Sequence, residues 1–162
     1  MSEPLFSKTD VPACAPDEIA LKSFFLGPQA ENSPWVREVL GELLRQAHPS
    51  IRIFPHAETN IITLCVAREK EAMGKTNERT MKVYKAFSPE ENHEFFVSKT
   101  TLKRPAYNRL IDGFTADWNA VHDTEELVLI RLTVMNPFFD TKDNLNYPVA
   151  FAKSMKEVIE RL

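Results

Sequence analysis

The sequence of 162 residues predicts an α+β fold. We expect a two-layer sandwich with a mostly antiparallel sheet, helices on one face and an additional N-terminal helix. Three observations support this prediction: helical and strand periodicities alternate along the chain, the apolar runs are as short as strands, and the length suits one domain with its own core. The predicted core order is strand, helix, strand, long connection, strand, helix.

The N-terminal region is predicted to be an arm followed by a helix. Residues 1–22 contain three prolines and little periodicity, which indicates an extended segment. Residues 23–162 are predicted to form a single domain, in which residues 23–48 are a helical segment. Ser33 suits the N-cap of this helix, and Pro34 suits its first helical position.

Two strands and a helix are predicted next. Residues 51–54 read as a short strand, and the β-branched, apolar run over 60–67 reads as a central strand. A turn is expected over 74–77, where Thr76 or Asn77 would cap the following helix. The buried side of that helix is predicted to consist of Met81, Val83, Tyr84 and Phe87.

The C-terminal half is predicted to contain two strands and a closing helix. We expect strands over 95–98 and 127–134 and a helix over 147–162. In the connection between the strands, a short helix over 107–114 would end at Gly113. Trp118 is expected to anchor this crossing segment to the sheet.

Composition excludes several classes of function. Hydrophobic residues make up 43% of the chain and charged residues 27%, which is ordinary for a globular protein. A net charge of −3 gives no reason to expect binding to nucleic acid or to an anionic membrane. Apolar runs fall short of the roughly 18 residues of a membrane span, and residues 1–10 show no basic region followed by an apolar block, so we expect no secretion signal. We therefore expect a cytoplasmic location.

Cysteine and histidine give no metal or nucleophile motif. Two cysteines, Cys14 and Cys65, are too few for a disulfide framework or a zinc site. Cys65 lies in an apolar strand and is predicted to be a buried, neutral thiol rather than a nucleophile. His48 and His56 flank a strand without a ligand partner at suitable spacing, so we expect surface histidines and no metal.

Three tracts carry a resemblance to a known family. They are FFLGPQAEN over 24–32, FFVSKTTL over 95–102 and LVLIRLTVMNPFF over 127–139. With them, the chain resembles the group II pyridoxal-phosphate-dependent amino-acid decarboxylases, closest to the tyrosine- and aspartate-type members. The resemblance runs from about residue 18 to the end and is more specific after residue 60. It implies an N-terminal segment joined to the C-terminal small domain, with the large cofactor-binding domain between them missing.

The resemblance also implies that the isolated chain has no catalytic residue and holds no cofactor. In the family the lysine that forms the Schiff base directly follows a histidine. This chain has no His-Lys dipeptide, and its four glycines form no phosphate-binding cluster. Members of the family bind pyridoxal phosphate, whereas we expect this chain alone not to bind it.

Ser98 and Thr100 are the site residues that the resemblance implies. In a completed enzyme they would contact the side chain of the substrate at the mouth of the active site. The alternative is that both hydroxyls bond local backbone groups at the end of a strand. The tract over 24–32 likewise has a functional and a structural interpretation. It is either a segment of a dimer interface or a turn that leads into the first helix.

Three functions remain open. The first is a truncated or internally deleted decarboxylase that is inactive alone. The second is an interaction or dimerisation module, which would associate with itself or with a related decarboxylase subunit because its former domain interface is exposed. The third is a small-molecule-sensing α+β domain, which rests on analogy of fold.

Overall fold

The helices and strands follow the predicted order. The computed structural model describes residues 34–55, 61–91, 95–133 and 147–162. Within these ranges the helices are α1 (Pro34–Ala47), α2 (Met73–Ala86), α3 (Asn108–Thr115) and α4 (Tyr147–Glu160), and a 3-10 turn (Ala116–Trp118) follows α3. The strands are β1 (Ile51–Ile53), β2 (Ile61–Val66), β3 (Ser98–Lys103) and β4 (Glu126–Thr133). The predicted arm, Ser33, Cys14 and His56 lie outside the described residues.

The four strands form one antiparallel sheet. Their order is β1-β2-β4-β3, and every pair of neighbours is antiparallel. Strands β2 and β4 are internal, whereas β1 and β3 are the edges. This confirms the predicted α+β class, the antiparallel sheet and the central position of the strand that was expected over 60–67.

The larger core lies on one face of the sheet. Leu64 and Val66 of β2 and Ile130 and Leu132 of β4 point to this face because side chains alternate along a strand. The long helices cover it, as predicted, with Leu44 from α1, Val83 and Phe87 from α2, and Phe151, Met155 and Ile159 from α4. Each fully buried side chain of this kind contributes about 1.5 to 3 kcal/mol to the stability of the fold.

The opposite face carries a second, smaller core that the sequence did not predict. Cys65 of β2 and Leu127 and Leu129 of β4 alternate with the residues of the larger core. Helix α3 and the 3-10 turn cover them with Ile111, Phe114 and Trp118. Helix α3 continues through Gly113 to Thr115, so the predicted end at Gly113 is wrong by two residues. The predicted anchoring role of Trp118 is confirmed, since this side chain is completely buried.

Helix α2 begins earlier than predicted. Residues 74–77 are helical rather than a turn, because helix α2 starts at Met73. The Asp123 carboxylate accepts a hydrogen bond from the Gly74 N–H at 2.8 Å and so takes over a capping role from a distant part of the chain. The buried positions include Thr76 and Thr80, whereas Met81 and Tyr84 are only partly buried.

Strand β3 lies later than predicted. Residues 95–97 are not part of the strand, which runs over Ser98–Lys103. Phe95 and Val97 are nevertheless buried in the larger core. The strand is polar because it forms an edge of the sheet, where one side of the backbone has no neighbouring strand among the described residues.

No helix within the described ranges is long and apolar enough to cross a bilayer.

Candidate functional site

The strand register places three polar side chains in one row on the face that α3 partly covers. Arg131 of β4 lies opposite Thr63 of β2 on one side and opposite Ser98 of β3 on the other. Directly opposed residues point to the same face of a sheet, and neighbouring strands are about 4.8 Å apart. We call Thr63, Arg131 and Ser98 the polar row.

Helix α3 and Trp118 cover the sheet beside the polar row but, within the described residues, form no hydrogen bond or ion pair with it. Phe54, beside Thr63, marks the boundary, because its ring packs edge-on against Phe114 with a centroid distance of 4.8 Å. Thr100 lies opposite Leu129, one row closer to the covered core. The fold therefore brings Ser98 and Thr100 to the same face, two residues apart on β3.

The hydroxyl of Ser98 bonds a backbone group of the neighbouring strand β4 rather than a local one. Ser98 is exposed, and its Oγ donates to the main-chain carbonyl of Arg131 at 3.4 Å. This distance is at the long end for an O–H donor, so the bond is weak. Thr100 is partly buried within the strand.

Arg131 is the residue of this site that sequence reasoning missed. Its side chain is partly buried, and no described residue forms an ion pair with it. A guanidinium presents donors in a fixed fork that matches a carboxylate, and hydroxyls beside it add further hydrogen-bonding atoms. The sequence signal was a single arginine within the apolar strand LVLIRLTV.

A second polar cluster joins the end of β3 to α3 and the following loop. The Arg104 guanidinium contacts the Asp112 carboxylate, donates to Asn108 Oδ1 at 3.0 Å and lies 2.9 Å from His122 Nδ1. His122 Nε2 in turn lies 2.9 Å from Thr115 Oγ1. The bond from Arg104 holds the pKa of Asp112 below its ordinary value.

This cluster contains the residue types of a catalytic triad, but its hydrogen bonds run in the direction of a structural contact. Thr115 is buried, and its hydroxyl donates its single proton to the Ile111 carbonyl at 2.7 Å. Its oxygen therefore accepts from His122 Nε2, which leaves Nδ1 to accept from Arg104. A nucleophile would need to donate its proton to the histidine instead.

Cys65 is buried, as the sequence predicted, whereas His48 was expected at the surface and is partly buried. Cys65 is completely buried, and burial raises the pKa of its thiol far above the ordinary value, so the thiolate is inaccessible at neutral pH. His48 accepts a hydrogen bond from the Ser50 N–H at 3.1 Å, and its partial burial lowers its pKa. Within the described ranges, no group of three or more His, Cys, Asp or Glu side chains is arranged to hold a metal ion.

The described residues do not fit pyridoxal phosphate. A lysine that forms a Schiff base is activated by desolvation or by neighbouring charge in a pocket. Every lysine in the described ranges is exposed at the surface, for example Lys82 and Lys85 on α2 and Lys99 and Lys103 on β3. None of these lysines therefore has the desolvated environment that activates a lysine of this kind.

Together the fold and the site define a small antiparallel α+β domain with a row of hydroxyl, guanidinium and hydroxyl groups on the face that α3 partly covers. No protein-family model matches the chain, and no curated protein matches it.

Proposed function

We propose that this chain is a small domain of the group II decarboxylase type, inactive alone, that supplies one wall of a carboxylate-binding site completed by another polypeptide. The observation that carries the proposal is the position of Arg131 between Thr63 and Ser98 on one face of the sheet. The other polypeptide would hold pyridoxal phosphate and the lysine that forms its Schiff base.

The chemistry of the polar row supports a carboxylate as the ligand. A partly buried guanidinium is less well solvated than an exposed one and has no described acidic partner. A ligand carboxylate would supply that partner through two parallel hydrogen bonds. Ser98 and Thr100 would then lie beside the remainder of an amino-acid ligand, as the resemblance implies.

Chemical shifts of the backbone amides test the site directly. We expect millimolar L-tyrosine or L-aspartate to shift the amides of Thr63, Ser98 and Arg131 in the wild-type chain. Arg131→Gln should abolish these shifts, whereas Lys99→Gln should preserve them. Both variants remove one positive charge, but Lys99 lies on the opposite face, with its ammonium 5.7 Å from the Tyr84 ring centroid.

Two results would contradict this site. One is an unchanged ligand response in a folded Arg131→Gln variant, since the guanidinium would then be unnecessary. The other is an equal loss in both variants, which would indicate general electrostatic attraction. Thermal midpoints of the two variants without ligand establish whether each is folded.

A separate measurement tests the absence of catalysis. Pyridoxal phosphate followed by borohydride should label several exposed lysines weakly, because none lies in a dedicated pocket among the described residues. We expect no release of carbon dioxide from tyrosine or aspartate by the purified chain. A stoichiometric adduct at one lysine together with turnover would overturn the proposal that the chain is inactive alone.

A second proposed function is an interaction module that associates with another copy of itself. The observation that favours it is the edge of β3 over Ser98–Lys103, which has no second neighbouring strand among the described residues. An edge strand exposes main-chain donors and acceptors that another strand can bind. For either function we propose a cytoplasmic location, because the free, buried thiol of Cys65 suits a reducing compartment.

A further inference from the structure

The main-chain groups of β3 alternate between its neighbour β4 and the open edge. The Arg104 N–H donates to the Glu125 carbonyl at 2.9 Å, which makes this a hydrogen-bonded antiparallel pair. The same register pairs Leu102 with Leu127 and Thr100 with Leu129. Because hydrogen-bonded pairs recur at every second residue, the main-chain groups of Lys99, Thr101 and Lys103 point away from the sheet.

Most of these outward groups are open in the described part of the chain. The carbonyl of Lys103 accepts from the Tyr107 N–H at 3.1 Å and is therefore occupied. The N–H and carbonyl groups of Lys99 and Thr101 have no partner among the described residues. A strand that binds this edge must therefore use Lys99 and Thr101 first.

We propose that two copies of the chain join their β3 edges about a two-fold axis that passes between the two Thr100 residues. This inference gives the proposed self-association a geometry and rests on it. Side chains directly opposed across an antiparallel pair share one face, so two-fold pairing must centre on a residue and not between residues. Thr100 and Thr101 are the two central choices.

Centring on Thr100 satisfies both the hydrogen bonds and the charges. Lys99 of each copy then lies opposite Thr101 of the other, and these two pairs exchange hydrogen bonds through groups that are all open. Centring on Thr101 would instead place Lys99 opposite Lys103 of the other copy, with two like charges facing each other. It would also direct the Lys99 N–H to the Lys103 carbonyl, which Tyr107 already occupies.

The lysines of this edge leave room for a second copy. Lysine on an edge strand usually opposes pairing. Here the Lys103 ammonium lies 3.4 Å from the Glu126 carboxylate, and the Lys99 ammonium lies 5.7 Å from the Tyr84 ring centroid. The Lys103 ammonium therefore points toward β4, and the Lys99 ammonium points toward α2. Neither points outward from the edge of the sheet.

Single cysteines at the centre of the strand test the register. All variants carry Cys14→Ser, while the buried Cys65 is retained. Under mild oxidation, Thr100→Cys should form a covalent dimer, because opposed residues of a non-hydrogen-bonded pair have Cα atoms about 4.5 Å apart, within disulfide range. Thr101→Cys should remain monomeric on a denaturing gel, because its Cα atoms would lie about 9 Å apart.

The remaining outcomes separate this inference from the broader proposal. Preferential cross-linking of Thr101→Cys would overturn the Thr100-centred register. A dimer by light scattering without cross-linking at either position would overturn the edge-to-edge geometry while self-association stood. A monomer at high concentration would overturn both.

A proline at the edge provides a second test that does not depend on oxidation. Thr101→Pro removes an outward N–H, which an edge strand tolerates, and should shift wild-type dimer to monomer in light scattering. Thr101→Val keeps the N–H and should remain dimeric. Circular dichroism checks that both variants fold, and a dimeric, folded Thr101→Pro would count against the pairing.

Discussion

The side chain of Asn77 on α2 replaces a missing strand partner for Val128 on β4. Asn77 Oδ1 accepts from the Val128 N–H at 2.8 Å, and Asn77 Nδ2 donates to the Glu126 carbonyl at 2.9 Å. Pairing between β2 and β4 ends at Leu64 and Ile130, although both strands continue. Helix α2 therefore supplies the hydrogen bonds at the point where the two central strands separate.

Replacement of Asn77 by alanine should destabilise the fold. It would leave the Val128 N–H and the Glu126 carbonyl without these partners, and we expect a loss of about 1 to 3 kcal/mol in the free energy of unfolding. Urea denaturation followed by circular dichroism measures the loss. Lys82→Ala, at an exposed position of the same helix, should change stability little. Equal effects of the two variants would show that the Asn77 bonds contribute nothing specific.

Thr80 of α2 likewise supplies a hydrogen-bond partner to the backbone of β2. Its Oγ1 accepts from the Val66 N–H at 3.1 Å, and the side chain is completely buried. Thr80→Val keeps the shape but leaves a buried N–H unsatisfied, so we expect a loss of about 1 to 3 kcal/mol. Thr80→Ser keeps the hydroxyl and loses one methyl group, at a cost of about 1 kcal/mol. Urea denaturation compares the two variants. A valine variant that is more stable than the serine variant would contradict the role of this bond.

Local patterns predicted the elements whose burial comes from their own sequence. Strands β2 and β4 are continuous apolar runs because they lie inside the sheet, and α4 has buried residues at helical spacing. Trp118 was predictable as an anchor because a tryptophan in a mostly polar connection gains most from burying its large apolar ring.

The remaining features depend on contacts between distant parts of the chain. The sequence of β3 is too polar to predict as a strand, and only its register with β4 establishes it. The buried face of α2 includes Thr76 and Thr80, which helical hydrophobicity does not identify. Arg131 became a candidate ligand-binding residue only when the registers of three strands placed it between Thr63 and Ser98.

The carboxylate of Glu71 should make stability depend on pH. Burial alone would raise its pKa, but the Arg79 guanidinium, the Arg68 N–H at 3.1 Å and the Thr76 hydroxyl at 3.2 Å outweigh burial and lower the pKa below the ordinary 4.5. A carboxyl group with a lowered pKa stabilises the fold above its unfolded pKa, and this contribution is lost as the pH falls through the folded pKa.

Glu71→Gln measures this contribution. At pH 7 we expect the variant to be less stable by about 1 to 3 kcal/mol, since Arg79 loses its charged partner and an amide leaves one accepting oxygen in place of two. The difference should shrink as the pH falls below about 4.5, where the unfolded chain binds a proton at Glu71 before the folded chain does, and it should vanish below the lower folded pKa. Urea midpoints at pH 7 and pH 3.5 give the comparison, with Glu78→Gln on the exposed side of α2 as the control. A gap of equal size at both pH values would show that the charge of Glu71 is not responsible.

Trp118 should stabilise the second core through the volume of its ring rather than through its polar atom. The ring is completely buried and packs edge-on against Phe114 at a centroid distance of 5.1 Å, while its Nε1 has no acceptor among the described residues. Trp118→Ala should therefore cost about 3 to 5 kcal/mol. Trp118→Phe forfeits no hydrogen bond within the described structure and refills much of the space, so its cost should be clearly smaller. Urea denaturation by circular dichroism distinguishes them, and the phenylalanine variant suffices if the alanine variant does not fold. A phenylalanine variant as unstable as the alanine variant would mean that the indole nitrogen, and not the ring volume, holds this segment on the sheet.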